Sequence, residues 1–234
     1  MQQHSEKQHS ANWQVFETAD EVAAASRDLM MQAAQHAIKE NGAFKIVLAG
    51  GTTPENVYRL LAKEPCEWQY WHFYLGDERC LPEDHAERNS QMALQTLLSK
   101  IEIPEENIHF IPAEKGAQQA AKEYSNIVKS ALPFDMVLLG MGEDGHTASL
   151  FPGHKHNENE LVHAVYNAPK PPPERVSLSR KALSQNRHLL ILVTGESKRH
   201  SVSRWKKGEN LPVSSIRSLN KMDILLDSKA YPSV

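Results

Sequence analysis

The sequence predicts an α/β fold, in which a mostly parallel sheet is flanked by helices on both faces. Short apolar runs of strand length alternate along the chain with longer segments of helical periodicity. Several of these runs are apolar throughout rather than alternating, as in strands buried on both faces. The 234 residues, 40% hydrophobic and 24% charged, have the composition of an ordinary globular domain.

The elements follow one another in a regular alternation. Gly42 is the stop signal of the first helix, and Pro54 opens the second, since proline is favourable at the first helical position. The proline-rich segment 168–173 is predicted to be a rigid surface loop, because proline cannot donate to a strand ladder. The predicted strands are 44–49, 71–75, 108–111, 134–139, 174–178, 189–193 and 222–226, and the predicted helices are 20–40, 54–61, 89–98, 116–132, 180–184 and 196–207.

Composition also limits the partners and the location of the protein. A net charge of −3 provides no broad basic surface for nucleic acid, and no apolar run approaches the ~20 residues of a membrane span. The polar N-terminus lacks the apolar run of a signal peptide, and two cysteines are too few for a disulfide framework. We therefore expect a soluble cytoplasmic protein with a flexible tail at residues 1–12 and one domain at 13–234, either a monomer or a weak dimer.

Ligands of parallel sheets bind beyond the carboxyl ends of the strands. Four segments that follow predicted strands are unusual in composition. The first is Gly50-Gly51-Thr52-Thr53, between a strand and a helix, which predicts a site for a single phosphate on the helix N-terminus. The alternative is a tight turn with a helix cap. The second is Gly76-Asp77-Glu78-Arg79, either a solvated turn or a loop in which Asp77 or Glu78 holds Arg79 against an anion.

The third segment, residues 140–147, matches the Gly-x-Gly-x-x-Gly pattern of dinucleotide-binding loops. We reject that interpretation because Glu143 and Asp144 would place two carboxylates where a pyrophosphate must approach. Gly145 instead permits a left-handed turn that directs Asp144 and His146 to the same side of the cleft. His146 then acts as general base and Asp144 orients it; the alternative is a structural histidine at a helix start.

The fourth group consists of two cations, Arg175 at the start of a strand and Lys198 in the first turn after another. Each alone is more often a surface charge, but cations converging on one cleft favour a phosphorylated small molecule. His154 and His156 have a spacing that suits a metal, yet no third or fourth ligand stands at a recognisable spacing. A solvated loop is therefore the expected role of this segment.

Taken together, these segments resemble the 6-phosphogluconolactonase family, in the family's order and over about residues 13–230. The most specific string is Asp144-Gly-His-Thr-Ala-Ser-Leu-Phe-Pro152, whereas Gly50-Gly51-Thr52-Thr53-Pro54 is shared with the related glucosamine-6-phosphate isomerases and deaminases. The remaining matches are residues 76–79, 174–179 and 195–198. Serine is common in the family at the position of Thr52, and threonine at those of Ser177 and Ser179; neither departure is disruptive.

The resemblance implies the isomerase-like α/β sandwich and hydrolysis of 6-phospho-D-glucono-1,5-lactone, a small-molecule substrate, in the pentose phosphate pathway. It implies neither a metal nor an organic cofactor. It also implies that His146 activates water and Asp144 orients His146. The phosphate and sugar would be held by Gly50, Gly51, Thr52, Thr53, Arg175 and Lys198. Arg79 either binds the phosphate or stabilises the oxyanion, and the sequence does not choose between these roles.

Two rival functions remain to be weighed. A sugar-phosphate deaminase of the same fold carries an Asp-Glu-Tyr sequence where this chain has Asp77-Glu78-Arg79, and arginine favours anion binding over proton handling. A non-catalytic sugar-phosphate sensor that regulates transcription would need a DNA-binding segment, and the short tail before Trp13 cannot form a helix-turn-helix.

Overall fold

A computed structural model describes residues 11–232, which contain two sheets and six α-helices. The strands are β1 (Asn12–Phe16), β2 (Phe44–Leu48), β3 (Trp71–Leu75), β4 (Asp77–Arg79), β5 (Ile108–His109), β6 (Phe134–Gly140), β7 (Val162–Val165), β8 (Arg175–Leu178), β9 (Asn186–Val193) and β10 (Lys221–Asp227). Seven of them form an all-parallel sheet in the order β1-β10-β9-β6-β2-β3-β5. The predicted α/β class is confirmed.

The smaller sheet is antiparallel, with the order β4-β8-β7. The prediction that Asp77–Arg79 forms a loop is wrong, because these three charged residues pair with β8 as a strand. The predicted strand at 174–178 exists as β8, but it belongs to this second sheet. Strand β7 is short, and β1 mixes polar with apolar residues, so neither carries the apolar run by which the other strands were found.

The helices are α1 (Ala19–Asn41), α2 (Thr52–Leu61), α3 (Asn89–Thr96), α4 (Ala117–Ala131), α5 (Arg180–Ser184) and α6 (Arg199–Lys206). Helix α1 begins with a capping box, in which the Thr18 side chain accepts from Glu21 N–H and the Glu21 carboxylate accepts from Thr18 N–H. It ends at Gly42, whose φ of 75° lies in the left-handed region, so the predicted stop signal is confirmed.

Three predicted helix boundaries differ from the structure. Helix α2 begins at Thr52 rather than Pro54, because the Gly51 carbonyl already accepts the Glu55 N–H; proline fits in this first turn since its missing N–H has no intrahelical acceptor there. The predicted helix 196–207 is divided into a 3-10 turn, Glu196–Lys198, and α6. Helix α3 ends at Thr96, and a 3-10 turn at Leu98–Lys100 follows.

The predicted N-terminal tail overlaps the first strand. Strand β1 starts at Asn12, one residue inside the predicted tail, and pairs with β10 at the edge of the large sheet. The rest of the predicted tail, residues 1–10, lies outside the described residues. None of the helices between residues 11 and 232 combines the length and the apolar character needed to cross a membrane.

The order of the strands creates a crevice at the centre of the large sheet. From the β2–β6 boundary, the chain runs through β3 to β5 on one side and through β9 to β10 on the other. Such a switch point separates the loops that leave neighbouring strands and opens a cleft at their carboxyl ends. Two fully buried tyrosines fix the backbone there: the Tyr58 hydroxyl bonds to both polar groups of Ala49, and the Tyr124 hydroxyl to those of Leu75.

Candidate active site

A cavity of about 540 Å³ lies at this switch point, bounded by the segments that follow β2, β3, β6 and β9. Eight of the nine residues predicted from the sequence line it: Gly50, Gly51, Thr52, Thr53, Arg79, His146, Arg175 and Lys198. The ninth, Asp144, contacts His146. Tertiary structure therefore brings together predicted residues from five separate segments of the chain.

The loop after β6 positions the histidine by a tight backbone turn. The Gly142 N–H donates to the His146 carbonyl at 2.8 Å, and the Gly145 N–H donates to the Gly142 carbonyl at 3.0 Å. Gly145 has a φ of 87°, as the predicted left-handed turn requires. A Cβ on Gly142 would lie 2.0 Å from His146 Nδ1, so the imidazole ring rests directly on a residue that must have no side chain.

Asp144 and His146 form a close dyad. Asp144 Oδ1 lies 2.5 Å from His146 Nδ1 and also accepts the His146 backbone N–H at 3.1 Å. Burial lowers the pKa of His146; the Asp144 carboxylate opposes this shift, and the charge of Lys170 adds to it. Burial opposes ionisation of Asp144, but the hydrogen bonds from His146 prevail and lower its pKa. At neutral pH the pair is thus a carboxylate and a neutral imidazole, with Nδ1–H donating to Asp144 and the Nε2 lone pair open.

The N-terminus of α2 offers donors to an anion. Gly51 provides no side-chain cap, so the N–H groups of Thr52 and Thr53 in the first turn have no intrahelical partner. Thr53 Oγ1 lies 2.6 Å from the hydroxyl of Thr194, which follows β9 and also lines the cleft. This geometry supports the predicted anion site over a turn that is only structural.

Arg79 lines the cleft, but its supports differ from those predicted. Its guanidinium donates to the Glu87 carbonyl, and its Nε is shielded from solvent without a hydrogen-bond partner. The expectation that Asp77 or Glu78 holds the Arg79 side chain is wrong. The fully buried Glu78 carboxylate instead accepts the backbone N–H groups of Asn89 and Ser90 at the start of α3.

The two remaining cations are arranged differently from one another. Arg175, only 5% exposed, directs Nε and Nη2 to the carbonyls of residues 170–172 in the proline-rich loop. Burial lowers the pKa of Lys198; Glu143 opposes this shift and Lys170 adds to it. Lys198 lines the cleft, whereas two of the three guanidinium nitrogens of Arg175 donate to the loop.

Two residues contribute to this cleft in ways that the sequence did not predict. Asp77 is a buried acceptor for the Asn89 amide at 3.0 Å and the Ser149 hydroxyl at 2.6 Å, and it joins β4 to α3 and to the segment after His146. Lys170 lines the cleft from the proline-rich loop. Ser149, the partner of Asp77, lies in the most specific motif, and Lys170 lies among the prolines, so both belong to segments that the sequence singled out. Local sequence did not indicate where either side chain would point.

The two histidines with metal-like spacing lie elsewhere. His154 and His156 line a second cavity, of about 580 Å³, on the far side of Phe151. Within the described range, no group of three or more histidine, cysteine, aspartate or glutamate side chains is placed to hold a metal ion.

The fold and this cleft define a class of α/β proteins in which a paired histidine and aspartate and a cationic rim meet at a sheet switch point. The chain belongs to the family of glucosamine-6-phosphate isomerases and 6-phosphogluconolactonases, whose family model matches residues 17–224.

Individual relatives agree with this membership. A probable chloroplastic 6-phosphogluconolactonase of Oryza sativa is 34% identical over 209 residues, which make up 81% of this chain but 64% of the relative, so the chain spans less than two thirds of that protein. A 6-phosphogluconolactonase of Mycobacterium leprae is 32% identical over 96% of this chain and 99% of its own. The crystal structure of the Thermotoga maritima 6-phosphogluconolactonase superposes with a TM-score of 0.88 at 29% identity, covering 94% of this chain and all of that one.

Proposed function

We propose that this protein hydrolyses 6-phospho-D-glucono-1,5-lactone to 6-phospho-D-gluconate in the cytoplasm, the second step of the oxidative pentose phosphate pathway. The observation that carries the proposal is the His146–Asp144 dyad, set in a cleft whose rim is cationic and rich in N–H donors. The relatives named above, which are 6-phosphogluconolactonases, supply the substrate class.

His146 acts as the general base. Its Nε2 lone pair removes a proton from water as the water oxygen attacks the lactone carbonyl, which becomes a tetrahedral oxyanion. The Asp144 carboxylate stabilises the imidazolium that forms, through the 2.5 Å contact with Nδ1. When the intermediate collapses, the bond to the ring oxygen breaks and the imidazolium returns the proton to that oxygen. The enzyme is regenerated and water has been added across one ester bond.

Water, rather than a protein group, is the nucleophile in this scheme. Cys80, the thiol nearest in sequence to Arg79, is half-buried, and burial raises its pKa to about 12, so it stays protonated at neutral pH. Base-assisted hydrolysis of an activated ester requires neither a metal nor an organic cofactor.

The phosphate of the substrate binds at the rim of the cleft that also contains His146. The unpaired N–H groups of Thr52 and Thr53 and the ammonium group of Lys198 supply hydrogen bonds and positive charge to the dianion. Arg79 lies on the same rim and contributes charge to the bound anion.

The test is a lactone hydrolysis assay with an uncatalysed control. The lactone is generated in situ and its product is coupled to 6-phosphogluconate dehydrogenase, and the spontaneous rate is measured without protein. We expect a rate well above that background for the wild type. His146→Ala should reduce the rate by about 100-fold or more while leaving affinity for 6-phosphogluconate largely unchanged.

His154→Ala is the matched control, because this histidine lies in a neighbouring segment outside the cleft. A His146→Ala enzyme with near wild-type turnover would contradict the general-base role alone. A wild-type rate equal to background would contradict the whole proposal and direct attention to ammonia release from glucosamine 6-phosphate.

A further inference from the structure

The proline-rich loop at residues 168–173 is held rigidly against the cleft. The loop is closed by the Ala168 N–H, which donates to the Pro173 carbonyl at 3.0 Å, and its three consecutive prolines restrict the backbone. Buried Arg175 donates to the carbonyls of Lys170 at 3.0 Å, Pro171 at 2.9 Å and Pro172 at 3.0 Å. Charge-assisted hydrogen bonds from one planar guanidinium thus fix three successive peptide units.

The loop is also linked to His146 through the ring of Phe151. The Arg175 guanidinium lies over the ring of Phe151, 5.7 Å from its centroid, and the same ring packs against the imidazole of His146 with centroids 4.7 Å apart. A displacement of the loop is therefore resisted by the packing that also positions His146.

Lys170 is the charged residue that this loop carries into the cleft. It lines the same 540 Å³ cavity as His146 and Lys198. Within residues 11–232 its hydrogen bonding is through its carbonyl oxygen, to Arg175, so the exposed ammonium group is available to a ligand. Its charge reaches both neighbours, since it adds to the effect of burial in lowering the pKa of His146 and of Lys198.

Two lysines that repel each other across a cleft favour an anion between them. Bringing Lys170 and Lys198 together costs electrostatic free energy, and a phosphate dianion bound to both removes that cost. The surroundings of Lys198 contain Glu143, which opposes its shift only in part. The pair is therefore suited to a doubly charged group rather than to a neutral sugar hydroxyl.

We propose that Lys170 is a further substrate-binding residue, which holds the phosphate of the substrate together with Lys198, and that Arg175 is a positioning residue that acts through the backbone of Lys170. This inference rests on the proposed function for the identity of the phosphorylated substrate. It differs from the sequence-based expectation for Arg175, which was direct contact with the phosphate.

Lys170→Met tests the direct role, and Lys155→Met is the matched control, because Lys155 is an exposed lysine that lines neither cavity. We expect Lys170→Met to raise KM for the phosphorylated lactone about 10- to 100-fold, the range for loss of one charge-assisted hydrogen bond, with kcat changed less than about threefold. Lys170→Arg should restore part of the affinity. With glucono-1,5-lactone, which lacks the phosphate, Lys170→Met should match the wild type.

Arg175→Lys tests the positioning role, because lysine keeps the charge but cannot hold three carbonyls. We expect it to raise KM as Lys170→Met does, and the double variant to be no worse than Lys170→Met alone, since both substitutions remove one interaction. Removing the cation should also move the acid limb of the Lys170→Met pH–rate profile to higher pH. The groups that face His146 are Asp144, Lys170 and Asp77, and only Lys170 is changed.

Several results would overturn the proposal. These are a KM within about twofold of the wild type for Lys170→Met, an equal loss with the unphosphorylated lactone, or a fall in kcat without a change in KM. Additive effects of the two substitutions would refute the positioning role of Arg175. A wild-type rate equal to that of the protein-free control would show that the proposed function, and not the role of Lys170, has failed. In that case calorimetric titration of wild type and Lys170→Met with inorganic phosphate decides the role of Lys170, with equal affinities refuting it.

Discussion

Gly142→Ala is a one-methyl change that should displace the catalytic imidazole. Gly142 lies outside the left-handed backbone region, so alanine is compatible with its conformation. The added Cβ would lie 2.0 Å from His146 Nδ1, 2.1 Å from His146 Cε1 and 2.8 Å from Asp144 Oδ1. All three contacts are shorter than non-bonded carbon atoms tolerate, and both members of the dyad are affected by the same methyl group.

The size of the effect follows from these distances. To reach an ordinary contact of 3.4 Å from 2.0 Å, the imidazole must withdraw by about 1.4 Å, and a misplacement of about 1 Å in a catalytic group already costs roughly 100-fold in rate. That factor corresponds to about 2.7 kcal/mol of transition-state stabilisation. Because the atoms that the methyl group meets belong to His146 and Asp144 and not to the anion-binding rim, we expect kcat to fall while KM stays within about threefold of the wild type.

The coupled lactonase assay, with circular dichroism and thermal unfolding to verify the fold, measures this directly. Gly140→Ala is the matched control, at the end of β6 and two residues before Gly142, since a Cβ there has nothing within 4 Å. Turnover of Gly142→Ala within about threefold of the wild type, in a protein of unchanged stability, would refute the assignment of His146 as a base held by this loop.

Three further predictions concern pH and stability. Burial lowers the pKa of His146 and the base works in its neutral form, so kcat/KM should be level above this pKa and fall with unit slope below it. Rates followed by carbon NMR should give an apparent pKa under about 6.5, and a midpoint above that value would contradict this. Glu78→Gln removes the fully buried carboxylate 3.4 Å from Arg88, which is 2% exposed and keeps the partly exposed Glu114 at 3.1 Å. Urea unfolding should therefore show a loss of about 1–3 kcal/mol, and an unchanged stability would show that the buried pair is dispensable. Tyr58→Phe unpairs the N–H and carbonyl of Ala49 and should cost about 1–3 kcal/mol in the same measurement, against a near-neutral Tyr70→Phe control at an exposed position.

Most of the regular structure could be predicted from local pattern. Strands such as β2, β3 and β6 are continuous apolar runs, and α1 carries its own start and stop signals at Thr18 and Gly42. The elements that were missed have no such pattern. Strand β4 consists of Asp77, Glu78 and Arg79, and charged residues predict a turn unless distant partners stabilise them. Those partners, Ser149 and the start of α3, are remote in the sequence.

The class of fold, the segments that form the cleft and the pairing of Asp144 with His146 could be predicted from sequence, because each depends on residues that are close together in the chain. Asp144, Gly145 and His146 form one turn, and Thr52 and Thr53 lie in the first turn of one helix. The different contacts of Arg175 and Lys170 depend on tertiary packing. The Arg175 guanidinium could have met a ligand or a neighbouring loop, and packing directs two of its nitrogens to the loop carbonyls. The same packing brings Lys170 into the cleft, since the direction of a long side chain depends on contacts between distant segments, which local sequence does not encode.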